Sequence, residues 1–64
     1  MIKLIITDYD NSIINYNINS VVACKLMMQG IDYTEEDGVT TFAVDFNEGW
    51  LFNIEGYLSR VLGL

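Results

Sequence analysis

Two aspartates, Asp8 and Asp10, are the residues of this sequence whose type and spacing come closest to catalytic chemistry. They follow the apolar run Leu4–Ile6, and paired carboxylates can act as nucleophile and general acid or hold a divalent cation. The composition excludes other kinds of site. Among 64 residues there is one Cys and no His, so neither a Ser-His-Asp triad nor a tetrahedral zinc site can be built.

The segment from Lys3 to Ser12 resembles the first motif of the haloacid-dehalogenase-like phosphatases, an apolar strand followed by Asp-x-Asp-x-Thr or Ser. The resemblance implies a nucleophile at Asp8, an acid/base at Asp10 and a bridging Mg²⁺. Asn11 stands where that motif usually has Gly, and the chain has no room for the family's later motifs. A hairpin turn is the preferred interpretation, so we expect no catalytic residue, no metal site and no cofactor.

Net charge is the strongest compositional signal. Nine Asp and Glu residues oppose three basic residues, Lys3, Lys25 and Arg60, and the formal charge is −6. Three cations cannot follow a phosphate backbone, which argues against direct nucleic-acid binding. A dense negative surface instead attracts a basic groove and speeds encounter with it.

The first half of the chain predicts a hairpin and a helix. Alternating apolar residues indicate strands at Ile2–Asp8 and Ile13–Ile18, joined by a turn. A helix capped by Asn19 or Ser20 should follow and end near Gln29. That helix has so many apolar residues that we expect it to be packed on more than one side, with Cys24 in the core.

The second half contains one clear strand, Val39–Phe46, preceded by a turn at residues 35–38. Residues 31–34 are either a short strand or a connection. The last third has two interpretations. Trp50, Phe52 and Ile54 alternate as in a strand, but a helix capped by Asn47 would also fit the helical spacing of six residues: Trp50, Leu51, Ile54, Leu58, Val61 and Leu62. The cost of Gly49 and Gly56 inside a helix favours a strand at 50–54 and a short helix from Tyr57 to Leu62.

Together these elements predict one domain of the α+β class spanning residues 1–64. We expect a small antiparallel sheet, one packed central helix and a short C-terminal helix, in the order ββαββα. If residues 31–34 are a connection, seven carboxylates share one end of the molecule. If they form a full strand, the cluster Glu35–Asp37 moves to the opposite end and the acidic surface is split.

The chain is also unusually apolar for its size, with 52% hydrophobic residues. A domain this short buries only about 60% of its unfolded surface, and its single Cys cannot form an internal disulfide. We therefore expect some Ile, Leu, Phe and Trp side chains on the surface, covered by a second copy or by a target protein. The short apolar stretches and the free Cys suggest no membrane span and a cytoplasmic location.

These observations predict a non-enzymatic protein that occludes a basic, nucleic-acid-handling surface of a host protein. Very short acidic proteins of this type are typical of bacteriophage inhibitors of host defence, including anti-CRISPR proteins. The alternatives are a homo-oligomeric structural or regulatory subunit, such as a homodimer, and a minimal Mg²⁺-dependent hydrolase at Asp8 and Asp10. The residues expected to bind the partner are acidic residues and neighbouring tyrosines: Asp8, Tyr9, Asp10, Asp32, Tyr33, Glu35, Glu36 and Asp37.

Overall fold

The structure, a computed structural model, describes residues 1–63. Its elements follow the predicted order ββαββα, and the α+β class is confirmed. The strands are β1 (Ile2–Thr7), β2 (Ile13–Ile18), β3 (Tyr33–Glu36) and β4 (Val39–Asp45). The helices are α1 (Ser20–Met28) and α2 (Phe52–Leu62), and a single 3-10 turn at Gly49–Leu51 leads into α2.

The four strands form one sheet in the order β2-β1-β4-β3. The hairpins β1–β2 and β3–β4 are antiparallel, but the central pair β1–β4 is parallel, with Leu4 opposite Phe42. The sheet is therefore mixed, whereas the sequence predicted an antiparallel sheet. The reason is that α1 carries the chain from the β2 edge to the β3 edge, so β4 returns beside β1 in the same direction.

Both helices lie on one face of the sheet and bury a single core between them. Leu4, Ile6 and Val44 of the sheet meet Leu26 of α1 and Leu58 of α2, and all five side chains are fully or almost fully buried. The opposite face of the sheet has no helix over it among the described residues, and Lys3, Asn15 and Asn17 are exposed there. The alternation predicted for β1 is thus confirmed.

α1 begins where the sequence predicts, because the Asn19 side chain accepts a hydrogen bond from the Val22 N–H at 3.0 Å. Its packing differs from the expectation. Only Val22, Ala23 and Leu26 are buried, and the opposite stripe, which includes Cys24, is exposed. The prediction that α1 is packed on more than one side, with Cys24 in the core, is wrong because the two-layer architecture covers only the face toward the sheet.

The predicted strand at 50–54 is wrong, and the segment is helical. The helical alternative is correct in type but not in its start, because α2 begins at Phe52 after the 3-10 turn and not at an Asn47 cap. α2 runs without interruption from Phe52 through Gly56 to Leu62. Gly56 costs the helix about 1 kcal/mol, whereas burying Leu51, Ile54 and Leu58 contributes about 1.5–3 kcal/mol for each side chain. Tertiary burial therefore outweighs the local preference of the glycines.

β3 occupies residues 33–36, two positions later than the short strand considered at 31–34. The turn that follows it is only two residues long, and both Asp37 (φ 52°) and Gly38 (φ 78°) have left-handed backbone. Two such residues are the requirement of a tight hairpin with the right-handed strand twist. Because β3 runs away from Asp32, it carries Glu35, Glu36 and Asp37 toward the far end of the sheet.

Large apolar side chains remain on the surface, as the composition predicts. Ile13, Met28, Trp50 and Phe52 are between 62% and 81% exposed. Trp50 and Phe52 are therefore outside the core, although aromatic side chains are usually well buried. Within residues 1–63, neither helix has the length and apolar character that crossing a membrane requires.

Candidate acidic binding surface

Six of the nine carboxylates lie at the end of the sheet where the parallel strands β1 and β4 finish. We call this group the acidic end. It comprises one residue after β1, one in the β1–β2 turn, one before β3, the last residue of β4, one before the 3-10 turn and one in the first turn of α2: Asp8, Asp10, Asp32, Asp45, Glu48 and Glu55. The segments that form this end, residues 8–12, 29–32 and 45–55, contain no Lys or Arg.

The β1–β2 turn fixes the first two carboxylates. The Asp8 N–H donates to the Ser12 carbonyl at 2.9 Å, and Asn11 adopts left-handed backbone with φ 66°. Asp8 Oδ1 accepts from the Tyr9 N–H at 2.7 Å, while Asp10 Oδ1 accepts from both the N–H and the hydroxyl of Ser12. The hairpin interpretation is thus confirmed, and both carboxylates stabilise the turn through these hydrogen bonds.

Hydrogen bonding to Ser12 lowers the pKa of Asp10 below its ordinary value. At pH values above the unfolded-state pKa of about 3.9, the lowered pKa of Asp10 adds to the stability of the folded protein. This contribution disappears as the pH falls through the pKa of Asp10 in the folded state. We expect Ser12→Ala to raise the pKa of Asp10 toward about 3.9, because one of the two Ser12 donors is removed. NMR titration of the Asp10 carboxyl carbon measures this value.

The matched control for that titration is Ser20→Ala, which changes a serine in α1 away from the turn. The control should leave the pKa of Asp10 unchanged. The loss of stability in Ser12→Ala should be present at neutral pH and fade below the folded pKa of Asp10. An Asp10 pKa that stays the same in Ser12→Ala contradicts the assignment of these hydrogen bonds.

The second group of carboxylates surrounds a cleft of about 200 Å³ between β4, the start of β3 and the 3-10 turn. Asp32, Asp45 and Glu48 line it together with Trp50 and the buried Ile31. Asp45 Oδ1 accepts from the Asn47 N–H at 2.9 Å, and Glu48 Oε2 accepts from the Trp50 indole N–H at 2.8 Å. These bonds hold two of the carboxylates and an aromatic ring that is 62% exposed in fixed positions.

Tyr9 and Asn47 join the parts of the acidic end. The Tyr9 hydroxyl donates to Glu55 of α2, and its ring lies 6.0 Å from the ring of Phe46. The Asn47 side-chain amide donates to the Asp8 carbonyl at 3.1 Å, which ties the β1–β2 turn to the segment after β4. The β1–β2 turn, the segment after β4 and the first turn of α2 are therefore held as one surface.

The phenol of Tyr9 reports the local negative field. Its hydrogen bond to Glu55, loss of hydration, and the charges of Glu55 and Asp8 all raise the pKa of Tyr9 above 10.0. Its neutral form therefore stabilises the fold at neutral pH, and this contribution is lost as the pH rises through the raised pKa. Tyr9 stays a hydrogen-bond donor with an exposed ring face across the physiological range.

The structure divides the residues that the sequence assigned to partner binding. Asp8, Tyr9, Asp10 and Asp32 lie at the acidic end. Glu35, Glu36 and Asp37 lie on β3 and in the turn at the other end, so the acidic surface is split as the strand alternative anticipates. Tyr33 begins β3 directly after Asp32, and its ring packs against Phe42 with 5.1 Å between centroids.

Sequence reasoning missed Asp45, Glu48 and Trp50 as members of one surface. Two signals could have identified them. Asp45 ends the clearest strand of the chain, and Glu48 and Trp50 follow it closely in the sequence. Among residues 1–63, no group of three or more His, Cys, Asp or Glu side chains is arranged to hold a metal ion.

Comparisons with known proteins add no relationship to these observations. No family model, no curated protein and no solved structure matches the chain. Any functional conclusion for this chain therefore depends on its own sequence and geometry.

Proposed function

We propose that this chain is a binding protein that covers a basic, nucleic-acid-handling surface of another protein with its acidic end. The observation that supports the proposal is the concentration of six carboxylates around the exposed rings of Tyr9 and Trp50, with no Lys or Arg in the segments 8–12, 29–32 and 45–55 that carry them. Negative charge attracts a basic groove, and aromatic rings supply contact area with little loss of side-chain entropy.

The hydrogen bonds of the acidic end favour such a role. Asp8, Asp10, Asp45 and Glu48 each accept a bond from a backbone or indole N–H close by in the chain. Side chains that are already ordered lose less entropy on binding, so more of the favourable interaction energy appears as affinity. A preorganised negative surface can then compete with a nucleic acid for the same cations. The type of protein that we propose is therefore a bacteriophage inhibitor of host defence, such as an anti-CRISPR protein.

The cleft beside Trp50 suggests how a basic side chain would be recognised. A guanidinium group has five N–H donors in one plane and stacks on aromatic rings, so it can contact a carboxylate and the indole at once. Asp32, Asp45 and Glu48 provide the carboxylates of this cleft. We therefore expect arginine to be the partner residue at the cleft.

A hexa-arginine peptide tests whether the acidic end is the preferred site for cations. In an NMR titration, the amide shifts of residues 31–32 and 45–50 should change first and saturate together. Residues 35–37 carry a comparable local charge and serve as an internal control at the opposite end of the sheet. Equal shifts at both ends would contradict the proposal, because they would indicate attraction by net charge alone.

A target protein captured by the chain permits the functional test. We expect its nucleic acid to displace the chain, and the affinity of the chain to fall steeply as ionic strength increases. Fluorescence anisotropy with labelled oligonucleotide measures both effects. A ternary complex of target, oligonucleotide and chain, or an affinity independent of salt, would argue against occlusion of a basic surface.

A further inference from the structure

β2 forms one edge of the sheet and has outward-pointing backbone groups that no other described strand pairs with. Hydrogen-bonded pairs alternate along an antiparallel ladder, and the Asp8 N–H bonds to the Ser12 carbonyl at the hairpin end. Given the register of β1 and β2, the backbone N–H and C=O groups of the even-numbered residues of β2 point toward β1. The N–H and C=O groups of Asn15 and Asn17 therefore point away from the sheet.

The two edges of the sheet differ in how well they resist pairing with another strand. β3 has four residues and carries Glu35 and Glu36, and short charged edges discourage such pairing. β2 has six residues, Ile13–Ile18, with no charge, no Gly and no Pro. On a chain of formal charge −6, this neutral edge is where a second copy can approach without facing carboxylates on the strand itself.

The sequence of β2 is symmetric about Tyr16. Residues 14–18 are Ile-Asn-Tyr-Asn-Ile, which is the same in both directions. In an antiparallel pair of two copies centred on Tyr16, each Asn15 lies opposite the Asn17 of the other copy. These are the residues whose backbone groups point outward, so each pair can exchange two N–H···O=C bonds. Register and backbone direction are thus compatible with self-pairing.

The side chains of β2 also suit a second copy. Ile14, Tyr16 and Ile18 are half-buried on the helix face of the sheet, and Tyr16 and Ile18 pack against the core. In the paired arrangement Ile14 lies opposite the second copy's Ile18, which extends one core into the other. Asn15 and Asn17 lie on the exposed face, where cross-strand amides can hydrogen-bond.

α2 lies close enough to this edge to contribute. A cleft lined by Ile6, Ile14, Glu55 and Ser59 places α2 above the β1–β2 half of the sheet. In the paired arrangement the two copies of α2 would lie on the same face of the joined sheet, one on each side of the paired strands. Phe52, 77% exposed, is two turns before Ser59 on the same side of α2 and would face the second copy.

We propose that two copies of this chain pair through β2, antiparallel and centred on Tyr16, to form a symmetric dimer. The pairing joins two four-stranded sheets into one continuous sheet. It covers the neutral edge and part of the surplus apolar surface. The acidic ends point in opposite directions along the strands. The cleft formed by Asp32, Asp45 and Glu48 lies on the β4–β3 side of the sheet, away from β2, so dimerisation leaves that cleft accessible.

Sedimentation equilibrium over a range of concentrations tests the dimer. Because each copy carries a formal charge of −6, added salt should strengthen self-association, whereas it weakens binding of a basic partner. In Asn15→Lys/Asn17→Lys, each introduced lysine faces a lysine of the other copy. In the matched variant Asn15→Lys/Asn17→Glu, opposite charges face each other. We expect the dissociation constant of the first variant to exceed that of the second by about tenfold or more.

Both double variants change exposed residues on the helix-free face, so circular dichroism should show an unchanged fold. A wild-type chain that stays monomeric up to about 1 mM overturns the proposal. This holds also if a strand of another protein, and not a second copy, pairs with β2. A dimer with the same dissociation constant in both double variants also overturns it, since that dimer would use a different surface.

Discussion

Replacing Phe42 with alanine is expected to unfold the domain. Phe42 is fully buried at the centre of β4, between β1 and β3, and its ring contacts Tyr33. Truncating a buried Phe costs about 3–5 kcal/mol, because apolar contact is lost and a cavity remains. A domain of this size has a free energy of unfolding of about 3–10 kcal/mol, so the substitution removes a large part or all of it.

Urea denaturation followed by circular dichroism measures this effect. Thr34→Ala is the matched control, because Thr34 is exposed on β3 and its neighbour across the strand pair lies on the face without helices. The control should change the free energy of unfolding by less than about 0.5 kcal/mol. If Phe42→Ala retains a cooperative transition with a loss below about 1 kcal/mol, the core does not depend on Phe42 as the packing indicates.

Neutralising the cleft carboxylates is expected to weaken binding of a basic partner by about 100-fold. The variant is Asp32→Asn/Asp45→Asn/Glu48→Gln, which removes three charges and keeps oxygen acceptors for the Asn47 N–H and the Trp50 indole. About 1 kcal/mol for each lost charge contact adds up to roughly 3 kcal/mol. Isothermal titration with the hexa-arginine peptide, and with a captured target, measures the loss.

The control is Glu35→Gln/Glu36→Gln/Asp37→Asn, which changes the net charge by the same three units at the other end of the sheet. This variant should weaken binding by less than about fivefold, through long-range attraction alone. Equal losses in the two variants would show that net charge rather than the cleft determines affinity. A loss confined to the control would assign binding to the cluster at residues 35–37.

The sequence alone was sufficient to predict the elements whose signals are local. Alternation in β1 and β2, the Asn19 cap of α1, the turn chemistry at residues 9–12 and the charge of −6 each depend on residues that are near one another in the chain. The surplus of apolar residues likewise predicted exposed Trp and Phe, because it follows from size and composition. A local signal needs no knowledge of the fold to be interpreted correctly.

The tertiary structure decided three matters that local signals leave open. It made residues 50–54 helical, because burial of Leu51 and Ile54 against the sheet outweighs the cost of the nearby glycines. It placed Asp45 and Glu48 beside Asp32, because β1 and β4 are parallel neighbours. It separated the cluster at residues 35–37 from the acidic end, because β3 is antiparallel to β4 and runs away from that end.

The symmetry of β2 shows how the two levels combine. The palindrome at residues 14–18 is visible in the sequence, but it has consequences only if β2 is an edge strand and if Asn15 and Asn17 turn their backbone groups outward. Strand order and register result from contacts between residues far apart in the chain. The sequence by itself therefore determined the local elements and the charge. Only the tertiary contacts determined which carboxylates share a surface and which strand lies at the edge.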